Sequence, residues 1–275
     1  MNQLFSVCII SCLLQLISLP ASGISLQSMN SWISGGQQES GYEEHHFKPL
    51  GTLNVHNETV GSIVIKTWAR PMLVIKSVKH IKEKKPKPTM HISVDEKQAS
   101  ITIPKPIDDG IKIDLELMIP EQTTVSITGR GPVKIKSVDG IMYIKTQDTI
   151  DVRHIGNSIT AISESSCSIS FHTIPLKSTI SITAKDQIEL ALPPETNAQL
   201  NAKAENGSIN CQLFFTFKPF CTKLNKNTWN QMRKEITGYL GNAQQLPEER
   251  NAENSFAKID VCSKNKSINI VNSRD

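Results

Sequence analysis

From about Leu50 the chain alternates apolar and polar residues in short runs. Leu53-Asn-Val55 is followed by Ile63-Val-Ile65, Leu73-Val-Ile75, His91-Ile-Ser-Val94, Ile101-Thr-Ile103 and Ile111-Lys-Ile113-Asp-Leu115-Glu-Leu117. Each run has a period of two and is bounded by Gly, Pro, Asn or Asp, which predicts half-buried strands rather than helices. Pro104, Pro106 and Pro120 fall at the ends of these runs, where a missing N–H removes no ladder bond.

The second half repeats. Ile150-Asp-Val152 recurs as Ile169-Ser-Phe171 and Ile188-Glu-Leu190, in steps of 19, and a second register places Ile144, Ile162 and Ile180 in steps of 18. Ile209-Asn-Cys211 extends the first register beyond the Pro193-Pro194 loop. Two short strands per unit of this length cannot bury an apolar face alone, but stacked units align it into ladders. The expected fold is all-β: a right-handed parallel β-solenoid or β-roll with about 18–19 residues per coil, preceded by additional short strands. One segment departs from the pattern. Thr228 reads as an N-cap with Gln231 three residues on, and Trp229, Met232 and Ile236 share a helical face, so a short helix near the C-terminal end is expected to close the stack.

Composition supports a β-core. Hydrophobic residues make 38% of the 275 and aromatics only 5%, so the interior rests on Ile, Leu and Val, which suit a pleated surface. The formal charge is +4, without the concentrated basic face of a nucleic-acid binder. Leu4 to Leu19 is apolar apart from Ser6, Ser11, Gln15 and Ser18, residues 1–23 carry no charged side chain, and Ala21 and Gly23 supply small residues for cleavage after Gly23. The stretch reads as a signal peptide, with a retained anchor as the rival, and it places the protein in the periplasm, on the cell surface or outside the cell. Residues 24–49, rich in Ser, Gly and Gln, read as a flexible leader, and residues 50–272 as the solenoid domain.

These residues resemble the bacterial putative-adhesin domain, a β-solenoid family of unknown function in exported and envelope-associated proteins. The resemblance is carried by Gly51-Thr-Leu-Asn-Val-His-Asn57, Gly61-Ser-Ile-Val-Ile-Lys-Thr-Trp68, Ile188-Glu-Leu-Ala-Leu-Pro-Pro194, Glu205-Asn-Gly-Ser-Ile-Asn210, Thr237-Gly-Tyr-Leu-Gly241 and Ser263-Lys-Asn-Lys-Ser-Ile-Asn-Ile270. It runs from about Leu50 to Val271. It implies a fold and an envelope setting, and brings no catalytic residue or cofactor with it.

The sharpest chemical feature is a basic stretch of Lys76, Lys79, Lys82, Lys84, Lys85 and Lys87. It could meet an anionic lipid surface or an acidic glycan. The plainer reading is a solvated loop whose lysines discourage edge pairing. No aromatic is interleaved for base stacking, so no nucleic acid is expected. After leader removal four cysteines remain, and Cys211 with Cys221 is the candidate disulfide; the alternative is that Cys167 and Cys211 are small buried hydrophobes. His154 and His172 stand one coil apart but one position out of register, which argues against a shared metal. Most of the paired carboxylates among Asp108, Asp109, Asp148, Asp151, Asp186 and Glu189 fall beside turns, where Asp serves the local backbone, and nothing in the sequence marks a catalytic cleft. Asn57, Asn206 and Asn265 match the glycosylation acceptor pattern. Together these features point to a non-catalytic, adhesin-like interaction or structural module of the envelope, whose partner would be a glycan, an anionic lipid surface or a protein. The alternatives are a carbohydrate-active enzyme on the same scaffold and a peripheral sensor of anionic membranes.

Overall fold

The structure, a computed structural model, describes residues 31–33, 36–49, 51–81, 89–107, 111–213, 215–216, 234–240 and 256–273. Among them 22 strands form two 11-stranded sheets, A and B, packed face to face over one core. The chain enters through β1 (Ser31–Ile33) and β2 (Gly36–His46), then makes a first coil from β3 (Thr52–Asn57) on sheet B and β4 (Ile63–Trp68) on sheet A. The chain then passes through β5 (Met72–Ile81) on sheet A and β6 (His91–Val94) on sheet B to the coil of β7 (Gln98–Ile103) and β8 (Ile111–Pro120). Regular coils follow: β9 (Thr124–Gly129) with β10 (Val133–Lys136), β11 (Met142–Thr146) with β12 (Ile150–Ile155), β13 (Ile159–Ser163) with β14 (Cys167–Phe171), and β15 (Thr179–Ala184) with β16 (Ile188–Leu192). The last part holds β17 (Ala198–Ala204) with β18 (Ile209–Cys211), two further strands β19 (Phe215–Thr216) and β20 (Glu235–Leu240), and the coil of β21 (Ala257–Ser263) with β22 (Ile268–Asn272).

The coils do not stack in chain order. Along sheet A the strands run β8-β4-β10-β12-β14-β16-β22-β18, and sheet B repeats the same sequence of coils as β7-β3-β9-β11-β13-β15-β21-β17. All these pairings are parallel, whereas β2 and β5 add antiparallel strands beyond β8, and β20 adds one beyond β17. The first-half strands are therefore coils themselves, with the antiparallel strands as extensions. Part of the stretch expected to be a leader, Gly36–His46, is β2, paired along most of its length with β5.

Alternation fixes which side chains face inward. One ladder on sheet A runs Leu115, Ile63, Val133, Ile150, Cys167, Ile188, Ile268 and Ile209 across successive rungs. On sheet B, Val125, Met142, Ile159, Ile180, Ile259 and Leu200 form its counterpart. A corner position carries small or polar residues instead, including Asn57, Thr146, Ser163 and Ser263. There Thr146 Oγ1 donates to Gly131 O at 2.5 Å, Ser163 Oγ to Asp148 O at 2.7 Å and Ser263 Oγ to Asp186 O at 2.6 Å. Each hydroxyl thus satisfies a turn carbonyl that the sheet ladder leaves unpaired.

Several expectations need correction. The ladder steps from Val133 to Ile150, then equally far to Cys167, then by a longer stride to Ile188, so Ile169 stacks on Val152 rather than on Ile150. The mean of these unequal steps falls close to the expected coil length, which is why that spacing stood out. Ile144, Ile162 and Ile180 fall in three different ladders: Ile144 aligns with Ala161, Ile180 aligns with Ile159, and Ile162 pairs with Lys145 and Thr183 on the outer face. A slip of one residue exchanges the two faces of a strand. Ile209 stacks on Ile268, because the C-terminal coil intervenes before Ile188. The expected helix is not supported. Ile236 lies in β20, paired with Ala202 of β17, and this pairing satisfies its backbone from the sheet edge; Thr228 through Met232 lie outside the described residues.

Candidate functional site

The outer face of sheet A bends into an open groove where β2, β5, β8 and β4 lie side by side. Its volume is about 590 Å³, and its lining includes Ser40, Tyr42, Ser62, Val64, Lys66, Lys76, Val78, Asp114 and Glu116. The two-residue period explains the set. Asp114 and Glu116 alternate with the buried Ile113, Leu115 and Leu117 of β8, so their carboxylates stand outward together. Lys66 of β4 and Lys76 of β5 reach Glu116 from its two flanking strands: Lys76 pairs directly opposite it, and Lys66 Nζ lies 2.7 Å from Glu116 Oε1.

The charges are locked. Asp114 Oδ1 accepts from the Ser62 amide at 2.6 Å and from the Ser62 hydroxyl at 2.7 Å. Its other oxygen faces His80 Nε2 at 2.9 Å and Lys112 Nζ at 3.2 Å. Partial burial pushes the Asp114 carboxyl up, but the two Ser62 bonds and Lys112 outweigh it and hold the group below its usual value. Glu116 is also held low, first by the Lys66 hydrogen bond, against a smaller desolvation effect. Tyr42 stands on the rim with 39% of its surface exposed, and its hydroxyl donates to Glu44. Farther along the same strands, Trp68 Nε1 donates to Met72 O at 2.9 Å and the Arg70 guanidinium lies 5.4 Å from the centre of the Trp68 ring.

Of the six lysines that the sequence grouped, Lys76 and Lys79 are among the described residues. Lys76 lines the groove, whereas Lys79 is an odd number of positions along β5 and so on the opposite face. Lys82, Lys84, Lys85 and Lys87 lie outside the described residues, as do Asp108, Asp109 and residues 1–30. Cys221 does too, so the pairing expected with Cys211 falls outside them. Cys167 is a buried member of the inner ladder, and burial pushes its thiol up to about 12. His154 and His172 are both exposed; His172 lies 3.7 Å from Asp139, and His154 sits with φ 53° at a bulge in β12. Among the described residues no three His, Cys, Asp or Glu side chains converge as a metal site, and no helix is long and apolar enough to cross a membrane. Asn57, one of the three glycosylation matches, is fully buried with its amide donating to Ile113 O at 3.0 Å, so it cannot carry a glycan in the folded chain.

Sequence reasoning did not find Tyr42, Asp114 or Glu116. The signal present was the alternation Ile111-Lys-Ile113-Asp-Leu115-Glu-Leu117, which fixes two outward carboxylates but not their neighbours. Those come from β2 and β5, whose antiparallel pairing spans distant segments.

Solved structures show likenesses to the chain. A putative cell adhesion protein from Clostridium sporogenes is 14% identical, with a TM-score of 0.45 over 85% of this chain and 100% of that one. A putative adhesin from Bacteroides fragilis is 10% identical, with a TM-score of 0.28 over 84% of this chain and 97% of that one. No family model and no curated protein matches the chain.

Proposed function

We propose that the protein is an exported, non-catalytic interaction module of the cell envelope, and that the outer groove of sheet A holds a hydroxyl-rich glycan. The observation that carries this reading is the pairing of two fixed carboxylates, Asp114 and Glu116, with the exposed ring of Tyr42 in one open groove. Fixed carboxylates accept hydrogen bonds from sugar hydroxyls, Lys66 and Lys76 donate to ring and carbonyl oxygens, and an aromatic face packs against the C–H face of a pyranose. Val64 and Val78 give the floor the apolar patches that such a face needs.

The same geometry weighs against a carbohydrate-cleaving enzyme. A glycosidase pair needs one carboxyl kept protonated to act as the acid, through a raised pKa. Asp114 and Glu116 are both held below their usual values, so both are ionised at neutral pH and neither can donate a proton.

The test is a binding screen of the chain from Ile24 onward against envelope glycans and against vesicles with anionic headgroups, at low and high salt. Saturable glycan binding that persists in high salt supports the groove reading, because it rests on hydrogen bonds and stacking. Binding only to anionic vesicles, lost in high salt, would move the function to the lysine-rich stretch of residues 76–87. No binding to either would overturn the proposal.

A further inference from the structure

The C-terminal coil enters the stack out of turn. β17 and β18 precede it in the chain, yet β21 lies between β15 and β17, and β22 between β16 and β18. The fit is complete on both sides. β21 pairs with Thr179–Ala184 on one flank and Ala198–Ala204 on the other, and β22 pairs with Ile188–Leu192 and with Ile209–Cys211. Its turn is stitched in as well: Lys264 N donates to Ala184 O and Asn265 N to Lys185 O, while Glu205 N and Asn206 N donate to Ser263 O and Lys264 O. Ile259, Val261, Ile268 and Ile270 are at most 3% exposed and continue the inner ladders without a break. The slot is therefore a template for one particular segment, 256–273.

The connection to that segment is longer than its task. Leu240, the end of β20, lies beside Ala198 on one side, and Ala257, the start of β21, lies beside Ala198 on the other. Neighbouring strands are about 4.8 Å apart, so the two ends are roughly 10 Å from each other. Residues 241–256 join them. A chain of that length can reach roughly 55 Å when extended. The described tie between the two ends is one ring contact, Tyr239 to Phe256 at 5.8 Å.

We infer that the C-terminal coil is exchangeable between copies of this chain, so that the slot between β15/β16 and β17/β18 takes the segment 256–273 of a second copy. An exchanged dimer reuses every contact of the closed chain, and only the path of the linker differs. A linker of this length sets an effective concentration on the order of 1 mM for closure within one chain. Refolding at 10 µM should therefore give about 1% exchanged chains, and refolding at 0.5 mM about a third. The inference rests on the coil order and not on the proposed ligand.

The experiment uses the full chain carrying Thr183→Cys. Thr183 pairs directly with Cys262 across the β15–β21 ladder, both on the outer face, at a Cα separation of about 4.8 Å that a disulfide can span. In a closed chain oxidation links the two cysteines internally; in an exchanged dimer it links two chains. Chains unfolded and refolded between 10 µM and 0.5 mM are oxidised and separated on non-reducing gels. The expected result is a covalent dimer whose share rises with concentration and disappears when Cys262→Ser is added. A dimer share equal to that Ser control at every concentration would overturn the inference. Sedimentation of the unmodified chain refolded over the same range gives a second reading: a monomer throughout also overturns it, whether or not the bridge forms.

Discussion

Ile144, Ile162 and Ile180 are evenly spaced and look equivalent in the sequence, yet the structure gives them two different environments. Ile144 and Ile180 are fully buried in the ladders of sheet B, and Ile162 is a half-buried residue on its outer face. Ile→Ala removes three carbons. At about 0.8 kcal/mol per buried methylene the transfer loss is about 2.4 kcal/mol. Rungs above and below hold the backbone, so the space does not collapse fully, and the cavity brings the total to about 2–5 kcal/mol at Ile144 or Ile180. At Ile162 part of the side chain is already in water and no enclosed cavity forms, so a smaller loss of about 1–2 kcal/mol is expected. Urea unfolding followed by far-UV circular dichroism separates these values. A slope of about 3 kcal/mol/M turns a loss of about 3 kcal/mol into a midpoint shift of about 1 M. The reasoning is refuted if Ile162→Ala shifts the midpoint as far as Ile144→Ala, because the register would then be wrong.

Three further outcomes follow from particular contacts. Gly61→Ala places a Cβ 1.8 Å from the Ile113 carbonyl oxygen where β4 enters beside β8, and should cost at least about 1–3 kcal/mol, read as a fall of several degrees in Tm by calorimetry. The Cys167 thiol, raised by burial to about 12 from 9.0, should react with iodoacetamide at pH 8 about a thousandfold more slowly in the folded chain than after unfolding, as peptide mapping by mass spectrometry would show. Because that pKa is raised, the unfolded chain loses the proton first, so the stability is intact below about pH 9 and declines as pH climbs toward 12. Asp114 is shifted the other way: its contribution is present above the ordinary carboxylate range and lost as pH falls through its depressed value. Asp114→Asn should therefore cost about 1–2 kcal/mol at pH 7, and the cost should shrink as the pH is lowered below the ordinary carboxylate range, measured by denaturant unfolding across a pH series.

The strand pattern was legible because period-two alternation and β-branched residues act within each strand. Nearly every run singled out in the sequence, from Leu53-Asn-Val55 to Ile268-Asn-Ile270, is a strand. The register was harder. Unequal steps between rungs leave no single repeat to find, and an outward Ile162 is indistinguishable from an inward isoleucine without its partners. Coil order was not readable at all, since one ladder template serves every rung and nothing in Ile259-Asp-Val261 says which pair of neighbours it joins. Ile236 shows the same limit: its spacing from Trp229 and Met232 suits a helix, but the open edge of β17 offers its backbone a partner. The groove depends on β2, a polar strand whose sequence carries little alternation and whose place is set by β5.

The central claim, that function lies in the groove of sheet A, is tested most directly with two tyrosines. Tyr42 on the groove rim and Tyr143 on the outer face of sheet B are 39% and 41% exposed, so they differ in place and hardly in accessibility. Calorimetric titration of the glycan that binds the parent chain, repeated on Tyr42→Ala and Tyr143→Ala, compares the two faces. The account predicts at least a tenfold weaker Kd for Tyr42→Ala, equivalent to about 1.4 kcal/mol, and a change within about twofold for Tyr143→Ala. Equal effects of the two substitutions, or a Kd that neither changes, would contradict it.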